Sequence, residues 1–370
     1  MKNTFGNALS VTIFGESHGA AIGAVIDGLA PGLPINEDFI RHQLALRRPA
    51  GRISTARCEA DEFQIVSGVY NGRTTGTPVC IMIPNADTKS GDYQTNIARP
   101  GHADYTAECK YHGYQDARGG GHFSGRVTAA LVAAGALVIP ALREKGIVIG
   151  THILRCGGIS DAPLASDEST LCDQLMRMNN TAFAVLDTTA GEQMQATIEQ
   201  ARAQGDSVGG VLETAIVGLP TGLGEPWFDS FESLLSHGLF SIPAIKGVAF
   251  GDGFALADRL GSEANDALLT DGERVMTRTN NNGGINGGIT NGMPVVFRCA
   301  VKPTPTIAKV QQTIDMKANA NVEYGGRGRH DPCIVHRARV VVDSVAALVV
   351  ADLLTQRFGV EGWREGVNTL

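Results

Sequence analysis

The residues Leu9-Ser10-Val11-Thr12-Ile13-Phe14 alternate between apolar and polar, the period of a half-buried strand, and Gly15 to Gly19 then form a loop at its end. After Asn36, which reads as an N-cap, Glu37-Asp38 open a helix that runs through Ile40, Leu44 and Ala45 to Arg47-Arg48, where Pro49 stops it. Two strand-like runs follow at 62–70 and 78–84, joined through Asn71-Gly72, a hairpin signal. Residues 85–123 are polar and long for a connection, and long ordered loops are usually functional. A helix apolar nearly all round begins near Ser124 and ends about Lys145-Gly146, which places it at the centre of the molecule. Its run 127–142 is short for a membrane span and polar at its ends. Further strands are predicted at 147–156, 208–218, 245–251 and 294–302, and helices at 167–178, 190–204, 229–239 and 342–358.

This order shows neither a regular β-α alternation nor a Gly-x-Gly-x-x-Gly between strand and helix, so the pattern fits α+β, with strands flanking buried helices. No fixed-period repeat appears. Length alone allows two or three domain-sized units or one large one.

Composition changes the picture in three ways. The 46 glycines in 370 residues are about one residue in eight, above a usual share of about 7%. They collect in clusters, where backbone must approach a ligand or adopt positive φ. A formal charge of −7 argues against a nucleic-acid or anionic-membrane surface. Yet arginines gather at Arg47, Arg48, Arg52, Arg57, Arg99, Arg118, Arg126, Arg327 and Arg329, which suggests an anion pocket in an acidic protein. Seven widely spaced cysteines, without a Cys-x-x-Cys pair, fit reduced thiols in a cytoplasmic protein, and no signal-peptide run opens the chain.

Four segments carry candidate chemistry. Residues 15–19 hold His18 in a Gly-rich turn. Residues 98–126 hold Arg99, His102, Asp104, His112, Arg118 and three consecutive glycines before Ser124, where a helix start could bind an anion or a flavin edge. Residues 279–294 are rich in asparagine and glycine, either a wrap for a planar polar cofactor or a flexible surface loop. Residues 325–336, with Lys302 before them, put arginine beside histidine and aspartate, able to bind an anion and move a proton. No His-Glu-x-x-His or similar set supports a metal, and no Gly-x-x-x-x-Gly-Lys-Ser/Thr supports a P-loop. Ser17 beside His18 fails as a nucleophile pair, because neighbouring residues on a strand point apart.

Together these segments resemble the chorismate synthase family. The motifs are 13-IFGESHG-19, 47-RRP-49, 99-RPGHADY-105, 117-ARGGGHFSGR-126, 241-SIPAIKG-247, 251-GDGF-254, 283-GGINGGI-289, 302-KPT-304 and 328-GRHDPC-333, in register along essentially the whole chain. The resemblance implies a single domain over 1–370, a helical core sandwiched between antiparallel sheets, and a homotetramer. It implies the conversion of 5-enolpyruvylshikimate 3-phosphate into chorismate by an anti-1,4-elimination that needs reduced FMN without net redox change. The flavin donates electron density transiently and recovers it as the hydrogen departs. Whether the chain reduces FMN itself with NADPH stays open.

By the same resemblance His18 is the acid that protonates the departing phosphate, His102 protonates the reduced flavin near N1, and Asp331 is the base assisting N5. Ser17, Arg47, Arg52, Arg57, Arg99, Arg126 and Arg329 match substrate-binding positions. Flavin contacts map to Phe123, Ser124, Gly125, Pro243, Ala244, Gly287, Lys302, Pro303, Thr304, Pro305, Thr306 and Arg329. Many members carry arginine and serine where this chain has His122 and Phe123, and serine where it has Pro305. A non-catalytic flavin- or nucleotide-binding protein would keep these loops but has no need of His18, His102 and Asp331 together. A metal-dependent phosphatase would need a ligand cluster that the sequence lacks.

Overall fold

The structure, a computed structural model of the chain, describes residues 2–49, 51–55, 60–86, 95–326 and 331–363. Two five-stranded antiparallel sheets enclose a layer of helices, the α+β sandwich that the sequence predicts. In the first sheet the strands lie in the order Thr4–Phe5, Ser10–Gly15, Ala21–Asp27, Val79–Pro84, Gln64–Ser67. In the second the order is Ile245–Phe250, Val295–Val301, Gly210–Val217, Val148–Cys156, Ile159–Ser160.

The middle layer is built on helices Thr128–Glu144 and Val335–Phe358, which pack on each other, the former also against strand Ala21–Asp27 and the latter against strand Val148–Cys156. Small residues let them approach closely: a Cβ on Gly135 would sit 2.4 Å from Ser344 Cβ. Helices Glu37–Arg47 and Phe231–Phe240 pack beside them. One continuous apolar core runs from Leu9 to Trp363. The outer face of the second sheet has its own smaller cluster, where Leu171 and Leu175 of helix Glu168–Met178 cover Val148, Ala215 and Val217.

The helix at Glu37–Arg47 starts as its cap predicts, with Phe39 N–H donating to Asn36 Oδ1 at 2.9 Å. The hairpin around Asn71-Gly72 is present but subdivided. Gly68 at φ +81° ends strand Gln64–Ser67, and the turn closes a separate small pair, Val69–Tyr70 with Arg73–Thr74. The helix expected to begin at 342 begins at Val335, because His336, Arg337 and Arg339 interrupt the apolar run although the helix extends through them. Ser124 caps a short 3-10 turn, Gly125–Val127, and the α-helix proper starts at Thr128. Residues 125–144 are, by length and composition, apolar enough to cross a membrane, yet 89% of an 18-residue stretch of this helix is buried inside the molecule, the central position that the sequence predicts.

Candidate active site

The three glycines 119–121 are the hub of the site. All have positive φ, Gly119 and Gly120 in left-handed turns and Gly121 at φ +54° and ψ −130°, backbone that a side chain would disfavour. A Cβ at Gly119 would lie 2.5 Å from His18 Nε2 and 3.1 Å from Ser17 Oγ. One at Gly120 would face Arg99 Nη2 at 3.6 Å and Ser124 Cβ at 3.8 Å. The Ser17 N–H donates to Gly121 O at 3.0 Å, and His122 Nδ1 meets Gly15 O at 2.7 Å. Thus His122 ties the glycine segment to the His18 loop. Phe123 is 44% exposed and meets Tyr111 edge-on at 6.1 Å.

Ser17 is fully buried and its Oγ has no hydrogen-bond partner among the described residues, while His18 is 7% exposed. Asp116 stands close to His18. Its carboxyl is held below the ordinary range first by the Arg118 hydrogen bond and, to a smaller extent, by the His18 charge.

On one side of the hub lies an open cleft with a cavity volume of about 240 Å³. Arg47, Arg48, Arg126 and Arg337 line it, with Asp331 as the acidic residue of the lining and Ser124, Gly125 and Pro243 among the rest. Arg47 and Arg126 are nearly buried and share one counter-charge, the fully buried side chain of Asp61. Arg47 Nη2 donates to Asp61 Oδ2 at 3.1 Å, and Arg126 Nη1 donates to Asp61 Oδ1. Burial, opposed by Asp61 but reinforced by Arg337 and Arg126, pulls Arg47 down to about 10, which leaves it charged at neutral pH. Two guanidinium groups on one carboxylate leave the pair with a net positive charge, which favours an anion at the cleft.

Asp331 is held from two sides, accepting from Thr55 N–H at 2.8 Å and from Arg337 Nη1 at 2.6 Å. Arg337 Nε also donates to Arg47 O at 2.8 Å, so it joins Asp331 to the arginine pair. His336, the next residue inward, is pushed down to about 3 by burial and by Arg337 and Arg339, so it is neutral; its Nε2 meets Ser54 Oγ at 2.9 Å.

On the other side of the hub, His102 Nε2 bonds Thr306 Oγ1, Lys302 Nζ donates to Gly101 O at 2.7 Å, and Gly101 lies against Pro305. Arg99 is locked onto Asp104 by two side-chain bonds of 2.7 Å. Burial raises the Asp104 carboxyl, but the Arg99 hydrogen bonds and charge outweigh it and leave it low. Lys302 N–H donates to Ala244 O at 3.0 Å, which connects this wall to Pro243 in the cleft, and Thr304 O accepts from Ser207 Oγ at 2.6 Å.

Not every candidate joins the cleft. Arg52 is exposed and outside the cleft lining, its carbonyl accepting from Arg202. Gly287 sits at φ +60° in the turn of hairpin Ile285–Asn286 and Ile289–Thr290, also outside the lining. Arg57 and Arg329 lie outside the described residues. The asparagine-rich segment is ordered: Asp266 accepts from Thr279 Oγ1 and from the N–H groups of Asn281 and Asn282, which corrects the flexible-loop alternative. Among the described residues no group of three or more His, Cys, Asp or Glu could hold a metal ion. The sequence reading missed Asp61, Asn85, Thr55 and Arg337. Asp61 and Arg337 each adjoin a segment that it did single out.

The family model for chorismate synthase matches residues 9–355. Chorismate synthase of Thermococcus gammatolerans is 46% identical over 359 residues, 96% of this chain and 99% of that protein. The enzyme of the same name from Aeropyrum pernix is 44% identical over 359 residues, 96% and 93% of the two. A crystal structure of chorismate synthase superposes with a TM-score of 0.76 at 30% identity, covering 96% of this chain and 94% of that one. The chain belongs to the chorismate synthase family.

Proposed function

We propose that this protein is a chorismate synthase, a carbon–oxygen lyase that removes phosphate from 5-enolpyruvylshikimate 3-phosphate by anti-1,4-elimination and forms chorismate with reduced FMN bound. The observation that carries the reading is a buried arginine pair, Arg47 and Arg126, joined through Asn85 to the loop that encloses His18 under Gly119. Binding alone requires the arginines but not the histidines.

The residues fit the cofactor. Ser124 and Gly125 border the cleft, and a Cβ on Gly125 would meet nothing within 4 Å, which leaves room for a flat group against the backbone. Pro243-Ala244 and Lys302 to Thr306 form a connected wall, and the buried Thr304 Oγ1 lacks a partner among the described residues, as expected of a hydroxyl awaiting one. These residues would hold FMN, which when reduced supplies transient electron density for the loss of a poor leaving group. Arg47 and Arg126 orient the anionic substrate, and their burial keeps competing water away. His18 delivers a proton to the departing phosphate, a task that suits an imidazole near neutrality. His102, oriented by Thr306, holds a proton beside the Lys302 to Thr306 wall, and Asp331, aimed by Thr55 and Arg337, serves as the base.

A cytoplasmic homotetramer belongs to the same proposal. The free thiols of Cys80, Cys109, Cys156, Cys172, Cys299 and Cys333 support a reducing compartment. The almost fully exposed Trp227, Phe228 and Phe254 support association through an apolar face.

The test is an anaerobic assay of purified protein with 5-enolpyruvylshikimate 3-phosphate and chemically reduced FMN, following chorismate and phosphate. Chorismate is expected only with reduced flavin. Its absence under those conditions, or full activity without flavin, overturns the proposal.

A further inference from the structure

Asn85 follows strand Val79–Pro84 directly, opposite the His18 loop. Its side-chain amide is fully engaged. Nδ2 donates to Glu16 O and to Gly19 O, both at 2.9 Å, and Oδ1 accepts from Arg126 Nε at 3.1 Å. Only this orientation satisfies all three partners, since the carbonyls demand donors and the guanidinium an acceptor. The two carbonyls bracket Ser17 and His18. One amide therefore connects both ends of the His18 turn to the arginine that faces the cleft. Asp61 completes the frame from the far side, holding Arg126 Nη1 and Arg47 Nη2 on its two carboxylate oxygens. Neither residue lines the cleft.

We propose that Asp61 and Asn85 are positioning residues that set the register between the arginine pair and the His18 loop, Asp61 fixing the spacing of the two guanidinium groups and Asn85 fixing the loop relative to them. The inference rests on the proposed elimination, in which the anion held by the arginines is the group that His18 protonates. Two like charges buried side by side separate unless a counter-charge lies between them, and Asp61 is that counter-charge. A donor misplaced by about 1 Å can lose a hundredfold in rate, so a single amide bridging acid and anion site has kinetic weight.

Asp61→Asn and Asn85→Ala separate the two halves. If Asp61 merely neutralised charge, its removal would make the cleft more positive and tighten anion binding. If it positions the arginines, removal weakens binding. Calorimetry with inorganic phosphate is therefore expected to give about tenfold weaker binding for Asp61→Asn and affinity within about threefold of wild type for Asn85→Ala. In the anaerobic assay Asn85→Ala is expected to lower kcat by about ten- to a hundredfold with little change in KM, whereas Asp61→Asn acts mainly on KM. Asp61→Glu, which keeps the charge, is expected to recover part of the phosphate affinity and covers the case in which Asp61→Asn does not fold. Equal or tighter phosphate binding by Asp61→Asn overturns the proposal, as does an unchanged kcat in Asn85→Ala. Wild-type protein that binds phosphate yet forms no chorismate refutes the proposed reaction instead, and the sign of the Asp61→Asn effect on phosphate still decides the positioning role.

Discussion

At the scale of single residues, the site depends on enclosing a few polar groups that open solvent would otherwise satisfy. His18 is 7% exposed and lies under Gly119, so its ring is shielded from bulk water. On the proposed mechanism, replacing it removes the general acid while sparing the wall formed by Pro243, Ala244 and Lys302 to Thr306. We expect His18→Ala to bind flavin as wild type does and to turn over on the order of a hundredfold more slowly. Flavin titration and anaerobic rate measurements check both halves, and a near-wild-type rate excludes the acid role. The reason for the glycines was legible in the sequence as a cluster, but their partner was not. Nothing in residues 117–126 says that the Cβ missing from Gly119 would lie against a side chain a hundred positions earlier. Asp61 was invisible for a related reason. An acid just before a strand reads as a surface charge, and only the fold brings two arginines from different helical segments onto it.

At the scale of elements, period and caps were the reliable signals. Asn36 and Asp167 each accept a bond from the backbone N–H three residues on, and the helix after Asn36 starts where that cap predicts, while Asp167, read as the first residue of its helix, is the cap before it. The signal fails where a buried helix turn carries polar residues. His336, Arg337 and Arg339 hid the first turns of helix Val335–Phe358, since their burial depends on Ser54, Asp331 and Asp343 from elsewhere or farther along. Short hairpins such as Val310–Asp315 with Ala320–Gly325 also escaped, because their partly exposed strands lack a clean alternation. The contact between the two central helices sets a testable limit. A methyl at Gly135 would lie 2.4 Å from Ser344 Cβ and 2.6 Å from its Cα, so the helices must move apart. Alanine in place of glycine favours a helix by about 0.5–1 kcal/mol, but overpacking costs typically about 1–3 kcal/mol. Gly135→Ala should therefore lower the midpoint of urea unfolding despite its better helix propensity, and a raised midpoint would show that the layer yields without cost.

At the scale of the whole molecule, one buried ladder links the second sheet to its outer helices and should govern how stability depends on pH. His152, Glu213 and Arg298 are register partners across three neighbouring strands. His152 Nε2 meets Glu213 Oε2 at 3.0 Å, and Arg298 meets Glu213 Oε1 at 2.8 Å. The other ring nitrogen of His152 meets Asp161 Oδ2 at 2.9 Å, and Asp161 also accepts from the N–H groups of Leu186 and Asp187, at the start of helix Thr188–Ala203. Burial opposes charge on His152, yet the hydrogen bonds and charges of Asp161 and Glu213 outweigh it and raise the imidazole above its ordinary value. Asp161 and Glu213 are moved the other way: burial raises them, but the His152 bonds prevail and hold both low. Folded protein therefore binds the His152 proton more tightly than the unfolded chain does. That stabilisation is complete below about pH 6.5 and disappears as pH rises through the raised value. The carboxylates contribute above about pH 4.5 and lose their contribution as pH falls through their lowered values. The ladder is thus strongest in weakly acidic solution. Unfolding midpoints in urea should fall from pH 6 toward pH 9 in the wild type. His152→Gln should be less stable at pH 6 and show a flatter dependence over the same range, because it has no proton to lose. An identical slope in the variant would assign the alkaline loss to other groups and leave the ladder as neutral packing.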